Sequence, residues 1–271
     1  MERKKVGLAL SSGGSRGPAH VGALDILKKN DIPIDMISGT SIGAVVGAFY
    51  AAGKSIDEIT DTMTDLSLTK LLSVTDFAIP TSGFIKGQRI QRWVKSVIGD
   101  ISFSDLNIPF ACLATDIVTG EAVVLNEGRV APALRASVSI PVIFTPAKLN
   151  GRFLVDGMLV EPVPVRVLRE MGADIIIAVN VLPYMGGQTG KASNWGRDKR
   201  KKPNIFSVIT RMMYIVGYQS VQTNTREADV VITPEVGHIF PGYFNRADDC
   251  LLQGKEAARL AIPEIKRALE T

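Results

Sequence analysis

The chain has little cysteine or histidine and no long apolar run. Its two cysteines, Cys112 and Cys250, have no spacing typical of a disulfide framework or a zinc site, so we expect a reducing compartment and no bound metal. The longest apolar runs, such as 42–52, fall short of the roughly 18 residues that a membrane span requires. The apolar stretch 6–10 is also too short for a signal peptide. We therefore expect a cytoplasmic protein that is soluble or bound peripherally to membranes.

A large excess of charge of either sign is also lacking. The formal net charge is +4, and the segment Arg197–Lys202 (RDKRKK), with five basic residues and one acidic residue, accounts for all of it. The remainder is close to neutral, which argues against nucleic acid as a partner. A chain of 271 residues that is 46% hydrophobic can bury a full core, and we expect a single α/β domain over 1–271.

Apolar periodicity along the chain alternates between the patterns of strands and of helices. Predicted strands are 6–10, 34–38, 110–117, 122–125, 153–155, 174–181 and 230–233. Predicted helices are 19–30, 41–52, 56–66, 86–98, 131–139, 163–171, one that begins near 205, and one from 248 that is interrupted near Pro263. This alternation predicts a three-layer α/β/α sandwich with a mainly parallel central sheet. The glycine-rich, basic segment 184–204 is interpreted as a mobile surface loop.

A serine lies in the pattern Gly-x-Ser-x-Gly, between a predicted strand and a predicted helix. The five residues are Gly39, Thr40, Ser41, Ile42 and Gly43. Such a turn needs glycine on both sides of the serine because the backbone packs tightly there, and it presents the hydroxyl at a helix N-terminus. We interpret Ser41 as a nucleophile, against the alternative of an incidental serine in a glycine-rich turn.

The first predicted strand ends in a second glycine-containing loop, Ser12–Gly17 (SGGSRG). The amides of Gly13 and Gly14 are candidate donors to the oxyanion that forms during acyl transfer. A phosphate-binding loop of a nucleotide enzyme is the alternative, but the loop has neither the G-x-G-x-x-G nor the Walker pattern. Arg16 is interpreted as orienting the loop, as binding a substrate phosphate, or as a solvated surface arginine.

The base that would activate Ser41 has three candidates. His20 and His238 are the only histidines, and each is interpreted as structural rather than catalytic. Asp156 ends a predicted strand and precedes glycine, and strand ends are where α/β active sites assemble. Asp-Gly is also a common turn dipeptide, so this position alone is not decisive.

Together, these residues and the segment 136–146 (ASVSIPVIFTP) resemble the patatin-like phospholipase family, in particular its bacterial members, over about residues 6–180. The resemblance implies a patatin-like fold and a Ser/Asp dyad that works without histidine or cofactor. Ser41 is then the nucleophile and Asp156 the base. The oxyanion loop is Gly13, Gly14, Ser15, Arg16 and Gly17. Two positions depart from the family pattern: Ser12 replaces a glycine, and Met158 replaces a glycine or alanine.

We therefore predict a lipid acyl hydrolase that acts on phospholipid or other acyl esters. The alternatives are a conventional α/β-hydrolase with a Ser41/Asp156/His238 triad and a noncatalytic nucleotide-binding module. A second hypothesis concerns an apolar stripe within 205–216, directly after the basic segment, which suits docking on anionic membranes. A core helix is the favoured alternative for that stripe.

Overall fold

The computed structural model of the chain describes residues 3–65, 86–182, 205–240 and 242–270. The predicted mobile loop 184–204 lies outside the described residues. The strands are β1 Val6–Leu10, β2 Met36–Thr40, β3 Phe110–Asp116, β4 Ala122–Leu125, β5 Ala147–Leu149, β6 Arg152–Asp156, β7 Ile175–Val179 and β8 Val230–Ile232. The described helices are α1 Gly17–Lys29, α2 Ile42–Ala51, α3 Ile56–Thr64, α4 Gln88–Ile98, α5 Val130–Ser137, α6 Val165–Glu170, α7 Ile205–Asn224 and α8 Ala247–Glu270.

All eight strands join one sheet, in the order β5-β6-β3-β2-β1-β7-β8, with β4 paired to β3 outside this path. The five strands from β3 to β8 along this order are parallel to one another. The residues of β1, β2, β3 and β7 are buried on both faces of the sheet, as is typical of parallel strands covered by helices, whereas Val231 of the edge strand β8 is 39% exposed. The prediction of a mainly parallel sheet is confirmed.

One edge of the sheet is antiparallel and contains a strand that the prediction missed. β5 pairs with β6, and β6 with β3, both antiparallel. The turn between β5 and β6 is Asn150-Gly151, whose φ angles are 48° and 78°. Asn-Gly is a strong signal for a two-residue hairpin turn because both residues tolerate positive φ. The sequence therefore contained the signal for β5, even though this strand is only three residues long.

Helices cover both faces of the sheet. Leu8 and Leu10 of β1 pack into a core with residues of α1, α2, α3 and α8, whereas the intervening Ala9 packs into a second core with residues of α6 and α7. Side chains of a strand alternate between the two faces, so these cores lie on opposite sides of the sheet. The predicted three-layer α/β/α sandwich is confirmed.

The last helix, α8, continues through Pro263, so the predicted interruption there is wrong. Buried residues lie on both sides of the proline, among them Ala258, Ile262 and Ile265. This buried face holds the helix in place despite the missing backbone donor, which shows that tertiary packing overrides local propensity. No helix within the described ranges is long and apolar enough to span a bilayer.

Candidate active site

Ser41 lies at the junction of β2 and α2, in a backbone conformation that is unusual for a residue other than glycine. Its φ is 55° and its ψ is −122°. The flanking glycines are required by space, since a Cβ on Gly39 would lie 2.5 Å from the Cα of Ala44 and one on Gly43 would lie 2.3 Å from the carbonyl oxygen of Leu10. Backbone strain of this kind is concentrated at functional sites, where the surrounding structure maintains it.

The hydroxyl of Ser41 donates a hydrogen bond to Oδ2 of Asp156, with an oxygen–oxygen distance of 2.5 Å. Asp156 is the last residue of β6. Its second oxygen, Oδ1, accepts the backbone N–H of Met158 at 2.9 Å. The Asp156 backbone is fixed as well, because its N–H donates to the carbonyl of Ser139 and its carbonyl accepts the hydroxyl of Thr115. The carboxylate is therefore held in place from both sides.

Burial changes the acid–base chemistry of Asp156. Only 1% of the residue is exposed, and this desolvation raises the pKa of the carboxyl from 3.8 to about 7, against the opposing effect of the hydrogen bonds from Ser41 and Met158. Desolvation disfavours the charged form, and a carboxyl with a pKa near neutrality is a far better base than an exposed aspartate. The pair can thus exchange a proton at neutral pH.

The glycine loop lies beside Ser41. Within the described part of the chain, the amides of Gly13 and Gly14 donate to no backbone or side-chain acceptor. Gly14 also lines the same cavities as Ser41. Unused donors beside the serine hydroxyl are what the predicted oxyanion site requires. A Cβ on Gly13 would lie 2.4 Å from Cγ2 of Val181, so space also restricts this position to glycine.

The remaining loop residues support the site instead of facing it. Ser15 donates its hydroxyl to the carbonyl of Phe240. Arg16 is fully buried, and its guanidinium donates twice to the carbonyl of Ile239 and once to that of Val181. The alternative of a solvated surface Arg16 is therefore wrong. Gly17 allows close packing on Ile42, because a Cβ there would lie 2.5 Å from Cγ1 of Ile42.

Neither histidine contacts the Ser41–Asp156 pair in the described residues. His20 is fully buried in α1, its Nε2 lies 2.8 Å from the carbonyl oxygen of Ser11, and burial lowers its pKa to about 4. His238 is exposed in the loop after β8. In the proposed triad an imidazole would lie between the serine and the carboxylate, yet here the two bond directly. No group of three potential metal ligands occurs within the described ranges.

Comparison with known proteins decides the family. The family model described as patatin-like phospholipase matches residues 8–169. The chain belongs to the patatin-like phospholipase family. It is 35% identical to an uncharacterized NTE family protein of Mycobacterium tuberculosis over 188 residues, which are 69% of this chain and 51% of that protein. It is 29% identical to lysophospholipase NTE1 of Debaryomyces hansenii over 249 residues, which are 85% of this chain and 16% of that protein.

The chain thus spans about half, or less, of the length of these relatives. Among solved structures, VipD of Legionella pneumophila is similar in fold, with a TM-score of 0.53, 12% identity, and coverage of 97% of this chain and 67% of that chain. The resemblance inferred from the sequence is confirmed at the level of the family.

The two departures from the patatin-like pattern contact each other. The hydroxyl of Ser12 donates to the thioether sulfur of Met158 at 3.0 Å. Met158 also supplies the N–H that binds Asp156. The side chain at the first departure therefore meets the residue that orients the carboxylate, which the sequence could not show because 146 positions separate the two.

Ser137 is a site residue whose role the sequence did not indicate. It is fully buried at the end of α5, and its hydroxyl oxygen accepts the backbone N–H of Ser41 at 2.9 Å. It belongs to the segment 136–146 that carries the family resemblance. Nothing about an isolated serine distinguishes this role, because it depends on the fold placing α5 against the turn at Ser41.

Two cavities of similar size, about 110 and 140 Å³, meet at Ser41 and share Gly14 and Ile140. The first, the apolar cavity, is lined mainly by aliphatic and aromatic side chains: Ile42, Val45, Ile90, Trp93, Val138, Phe144 and Phe244. The second is called the polar cavity because the carboxylate and three hydroxyl-bearing side chains, including Ser41, contribute to a lining that is otherwise apolar. Its other residues are Ser12, Ile143, Asp156, Met158, Met213, Tyr214, Phe240 and Gly242.

Proposed function

We propose that this chain is a lipid acyl hydrolase that cleaves carboxylic esters through Ser41 and Asp156. The observation that carries the proposal is the direct 2.5 Å hydrogen bond between the serine hydroxyl and a buried carboxylate whose pKa is raised to about 7. Family membership supports the same chemistry. The Debaryomyces hansenii relative is a lysophospholipase by name, which supports a phospholipid or lysophospholipid substrate for this chain.

The proposed mechanism has two stages. Asp156 accepts the proton of Ser41 as the serine oxygen attacks the ester carbonyl, and the amides of Gly13 and Gly14 bind the oxyanion. Asp156 then gives the proton to the departing alcohol, which leaves an acyl-enzyme. In the second stage a water molecule attacks the acyl-enzyme with Asp156 again as base, and the fatty acid is released.

Labelling with a fluorophosphonate followed by peptide mapping tests the nucleophile. We expect label on Ser41, no label in the Ser41→Ala variant, and a loss of esterase turnover of at least about 10³-fold in Ser41→Ala and Asp156→Asn. His238→Ala serves as the control and retains its activity. Wild-type turnover in either dyad variant would refute the proposal, and a large loss in His238→Ala would favour the triad. Thermal stabilisation by ATP or NAD without any labelling would favour the nucleotide-binding alternative.

A cytoplasmic location stays a prediction, and we propose in addition that the protein docks peripherally on anionic membranes through α7. One face of this helix is exposed and apolar at Val208, Met212, Ile215 and Val216, which are 37–58% exposed. The favoured alternative of a core helix is therefore wrong for these four residues. They recur at the three- and four-residue spacing that puts side chains on one face of a helix.

Two further observations support an anionic lipid surface as the partner. The basic segment Arg197–Lys202 ends three positions before α7 begins, and basic residues beside an apolar helical face favour anionic lipids. The opposite face of α7 places Met213 and Tyr214 in the polar cavity. Docking through the exposed face would therefore place the lipid surface one helix diameter, roughly 10 Å, from the polar cavity.

Cosedimentation with liposomes tests the docking. We expect binding to vesicles of phosphatidylglycerol, weaker binding to phosphatidylcholine, and weaker binding of the variants Met212→Ser and Ile215→Ser. Neutralising the basic residues of Arg197–Lys202 should weaken binding to the anionic vesicles only. Leu260→Ser is the matched control. Leu260 is 83% exposed, and it lies on α8, which packs on the face of the sheet opposite to α7. Equal losses in Leu260→Ser, or equal binding to both lipids, would contradict the proposal.

A further inference from the structure

The two cavities that meet at Ser41 differ in chemistry although they are similar in size. Among the residues that the structure describes, Ser41 carries the one hydroxyl that lines the apolar cavity and no charged group does, whereas the polar cavity also includes Asp156, Ser12 and Tyr214. Size therefore does not determine which part of an ester enters which cavity. The position of the proton donor does.

We infer that the apolar cavity is the acyl-chain subsite and the polar cavity the alcohol subsite. This inference rests on the proposed function. It assigns the acyl-chain contacts to Val45 of α2 and to Ile90 and Trp93 of α4. It assigns the contacts with the alcohol group to Met158 and Met213, which line the polar cavity.

The argument follows the proton. When Ser41 Oγ bonds to the carbonyl carbon, its proton moves to Asp156; when the bond from that carbon to the alcohol oxygen breaks, the same proton must reach that oxygen. Asp156 lines the polar cavity and does not line the apolar one. The alcohol oxygen must therefore lie on the polar side, within hydrogen-bonding reach of the carboxylate.

The reverse orientation would leave the departing alkoxide without a proton donor among the described residues, since none of those that line the apolar cavity carries a titratable side chain. The acyl chain, attached to the same carbon, points away from Asp156. Its methylene groups then gain the apolar contacts that favour their transfer from water. In the second stage, water takes the place of the alcohol and bonds to the acyl carbon, and its proton moves to Asp156. As the bond from that carbon to Ser41 Oγ breaks, Asp156 gives the proton to Oγ. The acyl chain stays where it is until the fatty acid leaves.

Two aromatic rings in the lining of the apolar cavity, those of Trp93 and Phe144, are held by their neighbours. Trp93 packs against Phe49 with ring centroids 5.5 Å apart, and Phe144 lies under the Arg135 guanidinium at 5.5 Å. These contacts fix two aromatic rings of the subsite in place. A substitution that fills the cavity should therefore shorten the preferred acyl chain, and one that removes Trp93 should lengthen it.

The test compares p-nitrophenyl butanoate with p-nitrophenyl dodecanoate, which share one alcohol. We expect Val45→Phe to lower the dodecanoate-to-butanoate ratio of kcat/KM by about tenfold or more. Trp93→Ala should move the optimum toward longer chains. Met213→Phe, which fills the alcohol side, is the matched control and should lower kcat/KM for both esters by the same factor. If both apolar-cavity variants keep the wild-type ratio, or Met213→Phe changes it, the inference is overturned.

A crystal structure of the wild-type protein labelled with a dodecyl fluorophosphonate tests the inference without any variant. We expect the dodecyl chain between Val45 and Trp93, and a chain lying against Met213 and Tyr214 would overturn the assignment. The two proposals fail in different ways. Activity that persists in Ser41→Ala refutes the proposed function, whereas Ser41-dependent activity with an unmoved chain-length ratio refutes only the subsite assignment.

Discussion

The backbone N–H of Ser41 donates to the hydroxyl oxygen of Ser137 at 2.9 Å. This bond joins the turn at the nucleophile to the end of α5, and it stabilises a residue whose φ of 55° is unfavourable for a side chain larger than hydrogen. We therefore predict that Ser137 is a positioning residue, which acts on the proposed reaction through the backbone of Ser41.

Replacing Ser137 by alanine should reduce turnover more than substrate binding. The variant leaves a buried N–H without an acceptor, which costs about 1–3 kcal/mol and loosens the geometry of the nucleophile. We expect kcat to fall about tenfold or more with little change in KM, measured with a p-nitrophenyl ester. Ser139→Ala is the control, since its hydroxyl also lies buried in the same segment but bonds to Arg135. Equal effects of the two variants on kcat would show that Ser137 has no special role.

The activity should depend on pH through the carboxyl of Asp156. This group has a pKa of about 7 and must be ionised to accept the serine proton, so kcat/KM for an uncharged ester should rise about tenfold per pH unit below pH 7 and level off above it. A pH–rate profile of the wild type and of His238→Ala should give the same midpoint. A profile without a step between pH 5 and about 8, or a midpoint displaced by the histidine variant, would contradict this assignment.

The same carboxyl should reduce the stability of the folded protein as pH rises. Its pKa is raised from 3.8 to about 7, so between these values the folded state holds a proton that the unfolded state has lost. The free energy of unfolding therefore falls as pH rises through this window and is level above it. Asp156→Asn lacks this titration.

Denaturant unfolding at several pH values should therefore show Asp156→Asn gaining stability relative to the wild type from about pH 5 to pH 8, by an amount on the order of a few kcal/mol. Asp100→Asn is the control: Lys95 lowers the pKa of the exposed Asp100 carboxyl from its ordinary value, so this group titrates below pH 5, and the stability difference from the wild type should be constant from pH 5 to pH 8. A difference between Asp156→Asn and the wild type that is independent of pH would contradict the raised pKa.

Arg16 should contribute to stability, because its buried guanidinium donates hydrogen bonds to the carbonyl of Ile239 and to that of Val181, two residues after β7. In Arg16→Met these carbonyls lose their donors, and we expect a loss of about 2–4 kcal/mol in urea unfolding. Arg16→Lys should not restore it, since an ammonium lacks the planar fork of donors. Arg226→Met, at an exposed arginine, should unfold like the wild type. A wild-type midpoint for Arg16→Met would exclude this role.

Local patterns predicted the elements whose causes are themselves local. The bounds of β1 and β4 agree with the prediction because uninterrupted apolar or β-branched runs between turn residues define them. β2 was predicted at 34–38 but lies at Met36–Thr40, since its bounds follow from pairing Gly7 with Met36 and Ile37 with Phe110. α8 was predicted to break at a proline that long-range packing tolerates.

The sequence by itself determined the turn at Ser41, because the glycines at positions 39 and 43 are steric requirements of a five-residue segment. Only the tertiary structure brought the carboxylate to it across 115 positions. The strand order β6-β3-β2 does this: Asp156 pairs with Ala114 and Thr40 with Leu113, so the ends of β6 and β2 lie one residue apart along β3. Strand register depends on the packing of the whole sheet, and no short pattern encodes it.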